Sequence, residues 1–296
     1  MKGKIVRAIA GYYYIYGYED GRTHQCRARG IFRKNGEKPL VGDEVVFDLT
    51  HTEDTEGTVD SILPRKNYLI RPPVANVDQA LIVFALKDPA PNLSLLDRFL
   101  ILMEKQQIPA VIVFNKDDLD SEKSYETIRR IYSGCGCRIL SMSIRSGEGV
   151  GEVRKLFEGK TTVLSGPSGV GKSSLTNLLC PEAGMEVGEV SRQTRRGKQT
   201  TRHAQLFPCG DGAFFFDTPG FSSLYLDGIR PQELKDYFPE FKKYEPQCRF
   251  QGCLHLAEPD CAVKSAVQEG KISRERYDSY RKLKEELETG QKEGRR

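Results

Sequence analysis

Three groups of residues have the types and spacing for chemistry. Gly166-Pro167-Ser168-Gly169-Val170-Gly171-Lys172-Ser173 follows a G-x4-G-K-S pattern. Its glycines let a loop fold closely round phosphates, and a helix opening near Lys172 turns unpaired N–H groups toward their charge. Lys172 can then reach the β- and γ-phosphates while the Ser173 hydroxyl ligates Mg²⁺. This loop binds phosphate without choosing a base. Asn115-Lys116-Asp117-Asp118 makes that choice, because a carboxylate at Asp118 accepts hydrogen bonds from N1–H and the exocyclic amine of guanine, neither of which adenine offers. An unpaired buried carboxylate costs roughly 1–3 kcal/mol or more, enough to favour guanine. Asn115 is expected to support the base edge, Lys116 to pack along the loop, and Asp117 to be the variable position. The third group is Cys248, Cys253, His255 and Cys261, a Cys₃His set in Cys-x4-Cys-x-His-x5-Cys spacing. It suits one tetrahedral structural Zn²⁺, with four protein ligands and so no open catalytic position.

Lesser signals surround these. Ala213-Phe214-Phe215-Phe216 leads into Asp217-Thr218-Pro219-Gly220, where Asp217 can hold a Mg²⁺-bound water and the Gly220 amide can sense a γ-phosphate. Between this turn and the phosphate loop lies a basic stretch from Arg192 to Thr201, in which the Thr201 hydroxyl is expected to complete the Mg²⁺ shell and the cations to meet RNA. Ser141-Met142-Ser143 is a candidate companion loop for the base. Cys26, Cys135, Cys137, Cys180 and Cys209 show no ligand spacing. Without a secretory signal they are expected to be separate reduced thiols.

The elements that must position these groups change character along the chain. Residues 1–65 alternate short β runs with glycines, such as Lys4 to Ala10, Tyr12 to Tyr16, Gln25 to Arg29 and Asp43 to Leu49. That spacing predicts a five-stranded OB-like barrel. Tyr12, Tyr13, Tyr14, Tyr16 and Tyr18 are candidates for base stacking, and Arg22, Arg27, Arg29, Arg33 and Lys34 for phosphate contact. The same residues also suit a strand face and a solvated surface. Residues 66–224 read as α/β: apolar strands at Ala80 to Phe84, Ala110 to Phe114, Arg138 to Ser143 and Thr161 to Ser165 alternate with helical stretches. Such alternation predicts a mostly parallel sheet with its ligand at the carboxyl ends of the strands. Both nucleotide motifs fall at such ends. Residues 225–296 carry the Cys₃His set, followed by an expected helix over Ser273 to Glu288 with Tyr277, Tyr280, Leu283 and Leu287 at helical spacing.

Composition limits the setting. The 296 residues, 38% of them hydrophobic, can fill two or three cores, and eight cysteines accompany a net charge of +4. No run approaches the roughly 20 apolar residues that span a bilayer. A cytoplasmic protein, acting without a membrane, is expected. The small net charge does not by itself identify a nucleic-acid partner.

The order of the motifs is unusual. In ordinary GTPases the phosphate loop precedes the base-reading Asn-Lys-x-Asp, whereas here Asn115 to Asp118 comes first. With Pro39-Leu40-Val41-Gly42-Asp43, Asn115 to Asp118, Gly166 to Ser174, Asp217 to Gly220 and the Cys248 to Cys261 set, nearly the whole chain resembles the RsgA (YjeQ/YloQ) family. The resemblance implies an OB-like amino-terminal domain, a circularly permuted P-loop GTPase domain and a carboxy-terminal α-helical zinc domain. It implies Zn²⁺, Mg²⁺ with GTP, phosphate contacts extending to Ser174, and GTP hydrolysis stimulated by the small ribosomal subunit, whose rRNA a monomer would bind. One departure touches the chemistry. Family members commonly carry His before the paired switch threonines, where this chain has Gln199, and Phe221 follows Gly220 in place of a water-positioning Gln. Gln199 is therefore expected to orient the attacking water beside Lys172 and Thr201, with His203 nearby. Two other readings stay open on the residues: an RNA-binding chaperone using GTP only as a conformational ligand, and an ATP-using P-loop enzyme, which Asn115 to Asp118 disfavours.

Overall fold

The computed structural model describes residues 1–30, 32, 38–49, 56–69, 73–121, 123–184, 205–217, 226 and 228–293. Five strands, β1 (Lys2–Ile9), β2 (Tyr12–Gly17), β3 (Thr23–Ala28), β4 (Glu44–Leu49) and β5 (Glu56–Ile62), form the amino-terminal module. They run in ring order β1-β2-β3-β5-β4 and close through a further β1–β4 pairing. Closure removes the open edges that would otherwise template pairing with another chain. Inward positions alternate along β2, where Tyr13 and Ile15 are buried between half-buried Tyr12, Tyr14 and Tyr16. The five-stranded barrel expected for residues 1–65 is present.

A short pairing of β6 (Tyr68–Leu69) with β7 (Val74–Ala75) leads into the second sheet. Its strands are β8 (Gln79–Ala85), β9 (Ala110–Asn115), β10 (Arg138–Ser141), β11 (Thr161–Ser165), β12 (Gln205–Pro208) and β13 (Phe214–Asp217), in the order β10-β9-β8-β11-β13-β12. All neighbours are parallel except β12, which runs antiparallel to β13. Every residue of β8 is buried, since helices cover both faces of a parallel sheet. Ala80, Ile82 and Phe84 pack on one side with α1 (Leu93–Lys105), α2 (Ser124–Ile131) and the barrel. Leu81, Val83 and Ala85 pack on the other with α3 (Val150–Lys155) and α4 (Lys172–Leu179). Successive strands leave β8 toward β9 and β10, and leave β11 toward β13 and β12. The topology therefore reverses between β8 and β11, where open α/β sheets bind ligands at their carboxyl ends.

Barrel and sheet are continuous. Arg7 of β1 pairs with Gln205 of β12, so eleven strands form one hydrogen-bonded array. The buried Lys4 ammonium reinforces the junction: it donates to Thr161 Oγ1 at 2.8 Å, pairs with Glu44 at 3.0 Å, and lies 4.9 Å from the Phe214 ring. Tyr16 meets Phe214 edge-on at 5.6 Å.

The carboxy-terminal module holds α5 (Pro239–Lys242), α6 (Ala262–Gln268) and α7 (Arg274–Glu293), preceded by a 3₁₀ segment at Pro231–Tyr237. Phe238, Phe241, Tyr277, Tyr280 and Leu283 fill its core, which also takes in Ile101 of α1. One buried charge cluster fastens this module to the sheet. Arg276 of α7 donates through Nε to Glu240 Oε1 at 2.7 Å and through a terminal nitrogen to Asp97 of α1, and Tyr132 donates to the same Asp97 oxygen at 2.8 Å. Phe238 and Tyr132 rings flank the guanidinium at 4.6 and 5.2 Å. Removing one member of such a buried cluster leaves like charges unpaired, which costs about 3–5 kcal/mol. Arg276→Met should lower the unfolding free energy by that order in urea titrations. Arg249→Met, which loses the exposed pair with Asp260 and a surface contact with the Phe250 ring, should change it by less than about 1 kcal/mol.

Candidate functional site

The base and phosphate motifs, separate in sequence, meet at the carboxyl edge of the sheet. Asn115 ends β9 and is buried, and its amide donates to the Val170 carbonyl in the phosphate loop at 2.8 Å. Its carbonyl oxygen accepts from Ile144 N at 3.2 Å. One carboxamide thus ties the phosphate loop to the loop after β10. Asp118 lies in the 3₁₀ turn Asp117–Leu119 and accepts from Ser143 Oγ at 2.6 Å, while Asp117 N donates to Met142 O at 3.2 Å. Lys116 takes a left-handed backbone at φ 64° and its ammonium donates to the Asp88 carbonyl in the segment after β8. Ser143 is almost wholly buried, and its hydroxyl also accepts from Ser146 N at 3.1 Å. Residue spacing marked the Ser141 to Ser143 loop only weakly. The signal was its place after a strand, and tertiary packing makes Ser143 the residue that holds Asp118.

The phosphate loop connects β11 to α4 with backbone that only glycine adopts without strain. Gly166 has φ +137°, and a Cβ there would stand 2.0 Å from Val83 O on the neighbouring strand. Gly171 caps α4 at φ +96°, and a Cβ there would stand 2.3 Å from Asn115 Nδ2. The expected glycine turn is therefore also a packing surface for the base motif. Lys172 opens α4 and its ammonium donates to the Pro167 carbonyl across the loop, with half-buried Ser173 and Ser174 following in the first turn. Pro167, Ser168 and Gly169 form the rest of the loop, with Gly169 also at positive φ. β13 ends at Asp217, whose Cα pairs in register with Leu164 of β11, one residue short of Ser165 and the phosphate loop. The strand therefore delivers Asp217 to the same edge. Gln199, Thr201, His203 and Gly220 lie outside the described residues.

Cys248, Cys253, His255 and Cys261 gather as their spacing predicts, with one ligand atom from each all within 4.8 Å of one another. Two zinc–sulfur bonds of 2.3 Å at a tetrahedral angle would set sulfurs about 3.8 Å apart. Cys248 and Cys261 Sγ atoms are 3.9 Å apart, and His255 Nδ1 lies 3.7 and 3.4 Å from them. The donor set fits one tetrahedral soft-cation centre. Burial holds the His255 imidazole neutral, down to about 4, which leaves its lone pair for a metal. Glu258 accepts from Leu254 N and Leu256 N at 2.7 and 2.8 Å, and Tyr277 and Tyr280 of α7 donate to the His255 and Leu254 carbonyls. The ligand loop is thus held from both sides.

One expectation needs correction. Cys180 and Cys209 are joined as a disulfide, not separate thiols, with Cα atoms 4.9 Å apart. Their separation of 29 residues hid the pair, and only the return of the β12–β13 hairpin to the end of α4 brings them together. The barrel tyrosines also divide. Tyr13 is buried in the barrel, Tyr16 meets Phe214 edge-on, and Tyr18 touches Phe214 while remaining exposed. Tyr12 and Tyr14 carry the guanidinium groups of Arg27 and Arg7 over their rings, at 4.6 and 3.9 Å.

Comparison with known proteins agrees with this architecture. The model of the RsgA GTPase matches residues 62–227, and that of the RsgA N-terminal domain matches residues 2–59. The chain belongs to the RsgA GTPase family. RsgA proteins described as "Small ribosomal subunit biogenesis GTPase" include one from Agathobacter rectalis, 48% identical over 301 residues, covering 99% of this chain and 100% of the relative. Another, from Bacillus cereus, is 46% identical over 289 residues, with 97% of each chain covered. Among solved structures, YloQ, described as a circularly permuted GTPase, superposes with a TM-score of 0.82 at 39% identity, covering 97% of this chain and 95% of its own. YjeQ from Thermotoga maritima gives 0.83 at 37% identity, covering 97% and 98%. The RsgA fold here is thus the permuted one, with the base strand β9 preceding the phosphate strand β11.

The tight approach of Gly171 to Asn115 yields a direct check. Gly171→Ala should lower the unfolding free energy by more than about 1 kcal/mol, since left-handed backbone alone costs an L-residue roughly 1–2 kcal/mol. It should also displace Asn115 from Val170, seen as loss of protection of the Ile144 amide in hydrogen exchange.

Proposed function

We propose that the chain hydrolyses GTP to GDP and phosphate while bound to the small ribosomal subunit and its rRNA, assisting late maturation of that subunit in the cytoplasm as a monomer. The observation that carries this reading is the Asn115 bridge to Val170, which ties the strand end before Asp118 to the loop before Lys172. The names of the relatives supply the ribosomal setting. Three modules divide the work: residues 1–65 for RNA, 66–224 for nucleotide, and 225–296 for a structural zinc centre. No helix among the described residues is long and apolar enough to cross a membrane.

In this reading Asp118 accepts the guanine N1–H and amine, oriented by Ser143, while Asn115, Lys116 and Asp117 shape the base slot. The N–H groups of Gly166 to Ser174 surround the phosphates, and Lys172 shifts from Pro167 to the β,γ-phosphate oxygens. Ser173, Thr201 and Asp217 would hold Mg²⁺, which neutralises charge building on the leaving phosphates. The Gly220 amide reads the γ-phosphate and Gln199 orients the attacking water. Tyr12 and Tyr14, with their paired arginines, offer π faces and positive charge for unpaired rRNA.

Purified small subunits should raise the GTP turnover of the full chain by more than about tenfold, equivalent to about 1.4 kcal/mol of barrier. No rise, together with nucleotide-dependent subunit binding, would instead make GTP a conformational ligand only. Asp118→Asn should weaken GTP and strengthen xanthosine triphosphate, because an amide donates to the xanthine carbonyl that replaces the guanine amine. An unchanged preference would remove Asp118 from base recognition.

The metal centre has its own check. Elemental analysis should find about one zinc per chain, because four protein ligands make one closed site. Cys253→Ser or a strong chelator should release it and unfold the Cys248 to Cys261 loop, read by tyrosine fluorescence of Tyr277 and Tyr280.

A further inference from the structure

The phosphate-loop helix ends on a cysteine that faces another. Cys180 is the last residue capped onto α4, its N–H donating to Thr176 O at 2.7 Å, and it is almost wholly buried. Cys209 follows β12 and opens the tight turn into β13, where its N–H donates to Ala213 O at 2.9 Å. Their Cα separation of 4.9 Å lies within the 4.4–6.8 Å that a disulfide spans. Each sulfur also lies near a carbonyl, Cys180 Sγ 3.5 Å from Pro208 O and Cys209 Sγ 3.3 Å from Phe207 O. As thiols both S–H groups therefore keep acceptors, so the same backbone accommodates the bonded and the reduced pair.

We propose that Cys180 and Cys209 form a reversible oxidation site that latches the phosphate-loop helix to the β12–β13 hairpin. Intracellular disulfides are characteristically transient and redox-sensing rather than permanent. The two sulfurs differ in access as such a site requires: Cys209 is half-buried and Cys180 is enclosed. Cys209 thiolate attacks a peroxide oxygen, giving its sulfenic acid, and after proton uptake the cleaved O–O bond leaves one water. The Cys180 thiol then displaces the hydroxyl from that sulfur as a second water, forming the S–S bond. Two thiols lose two electrons and two protons, and hydrogen peroxide is reduced to two waters.

The latch joins two elements of the nucleotide site. α4 begins at the phosphate loop, and β13 ends at Asp217, so a bond between Cys180 and Cys209 makes their far ends one body. The five-residue turn from Cys209 to Ala213 carries Gly210, Asp211 and Gly212 at positive φ, and β12 pairs with β1 of the barrel. Reduction leaves this hairpin attached to α4 by packing and by the Cys180 S–H contact with the Pro208 carbonyl.

The test uses the full chain with its metal bound, reduced, desalted and exposed to hydrogen peroxide. Non-reducing peptide mapping should find the Cys180 peptide joined to the Cys209 peptide, with a mass loss of two hydrogens that dithiothreitol reverses. Oxidation should raise Tm and slow hydrogen exchange through residues 205–217. Cys180→Ser and Cys209→Ser chains should show neither change, and either one would also expose a spurious contribution from oxidised metal ligands. Recovery of both cysteines as separate sulfinic or sulfonic acids, linkage only after denaturation, or equal exchange in both redox forms would overturn the proposal.

Discussion

The hydrogen bond from Asn115 to Val170 is the contact on which the nucleotide site depends. It joins the end of β9 to the phosphate loop, and through Ile144 the same carboxamide holds the loop that bears Ser143. A single neutral hydrogen bond adds only about 1 kcal/mol net, but leaving a buried amide unpaired costs more, so the geometry is fixed chiefly by what its loss would expose. Gly171 makes the contact possible by having no Cβ at the point of closest approach.

Permutation is tolerated because such contacts are spatial. The parallel order β10-β9-β8-β11-β13 needs each strand to reach its carboxyl edge, and it does not require that the phosphate strand come first along the chain. Fixed residues at the switch point between β8 and β11 then receive the ligand whichever connection was cut. What the order does change is the neighbours of the G domain. β12, on the edge beside β13, pairs with β1, and Lys4 spans from the barrel to Thr161 at the start of β11. Elsewhere, Asp97, Glu240 and Arg276 secure the carboxy-terminal module to α1. The sheet is therefore joined to a five-stranded barrel and to a helical module carrying the Cys₃His cluster, each through a buried cation.

The buried cations show why part of the design was hard to read. Lys4 and Arg276 look like surface residues in sequence, since Lys and Arg are almost never fully buried unless paired. Their partners are distant along the chain: Thr161 for Lys4, and Asp97 and Glu240 for Arg276. The tyrosine run of β2 was legible as a strand by alternation. Which rings face the core, which face Phe214 and which carry arginines depended on how the barrel docks.

Local chemistry made the three principal motifs visible in the sequence alone. The glycine-rich phosphate-loop motif, the Asn-Lys-x-Asp motif at Asn115 to Asp118 and the Cys₃His set each combine required residue types at short spacing, because each is built by one turn or loop. The barrel and the parallel sheet were legible for a similar reason, as period-two alternation and near-continuous apolar runs record the burial of one face or two. Tertiary structure alone decided the pairings whose partners are brought together by strand order. These are Ser143 on Asp118, Arg276 between two carboxylates, β12 against β1, and Cys180 against Cys209. Their physical cause is the return of separate chain segments to one sheet edge or one helix end, which no local spacing records.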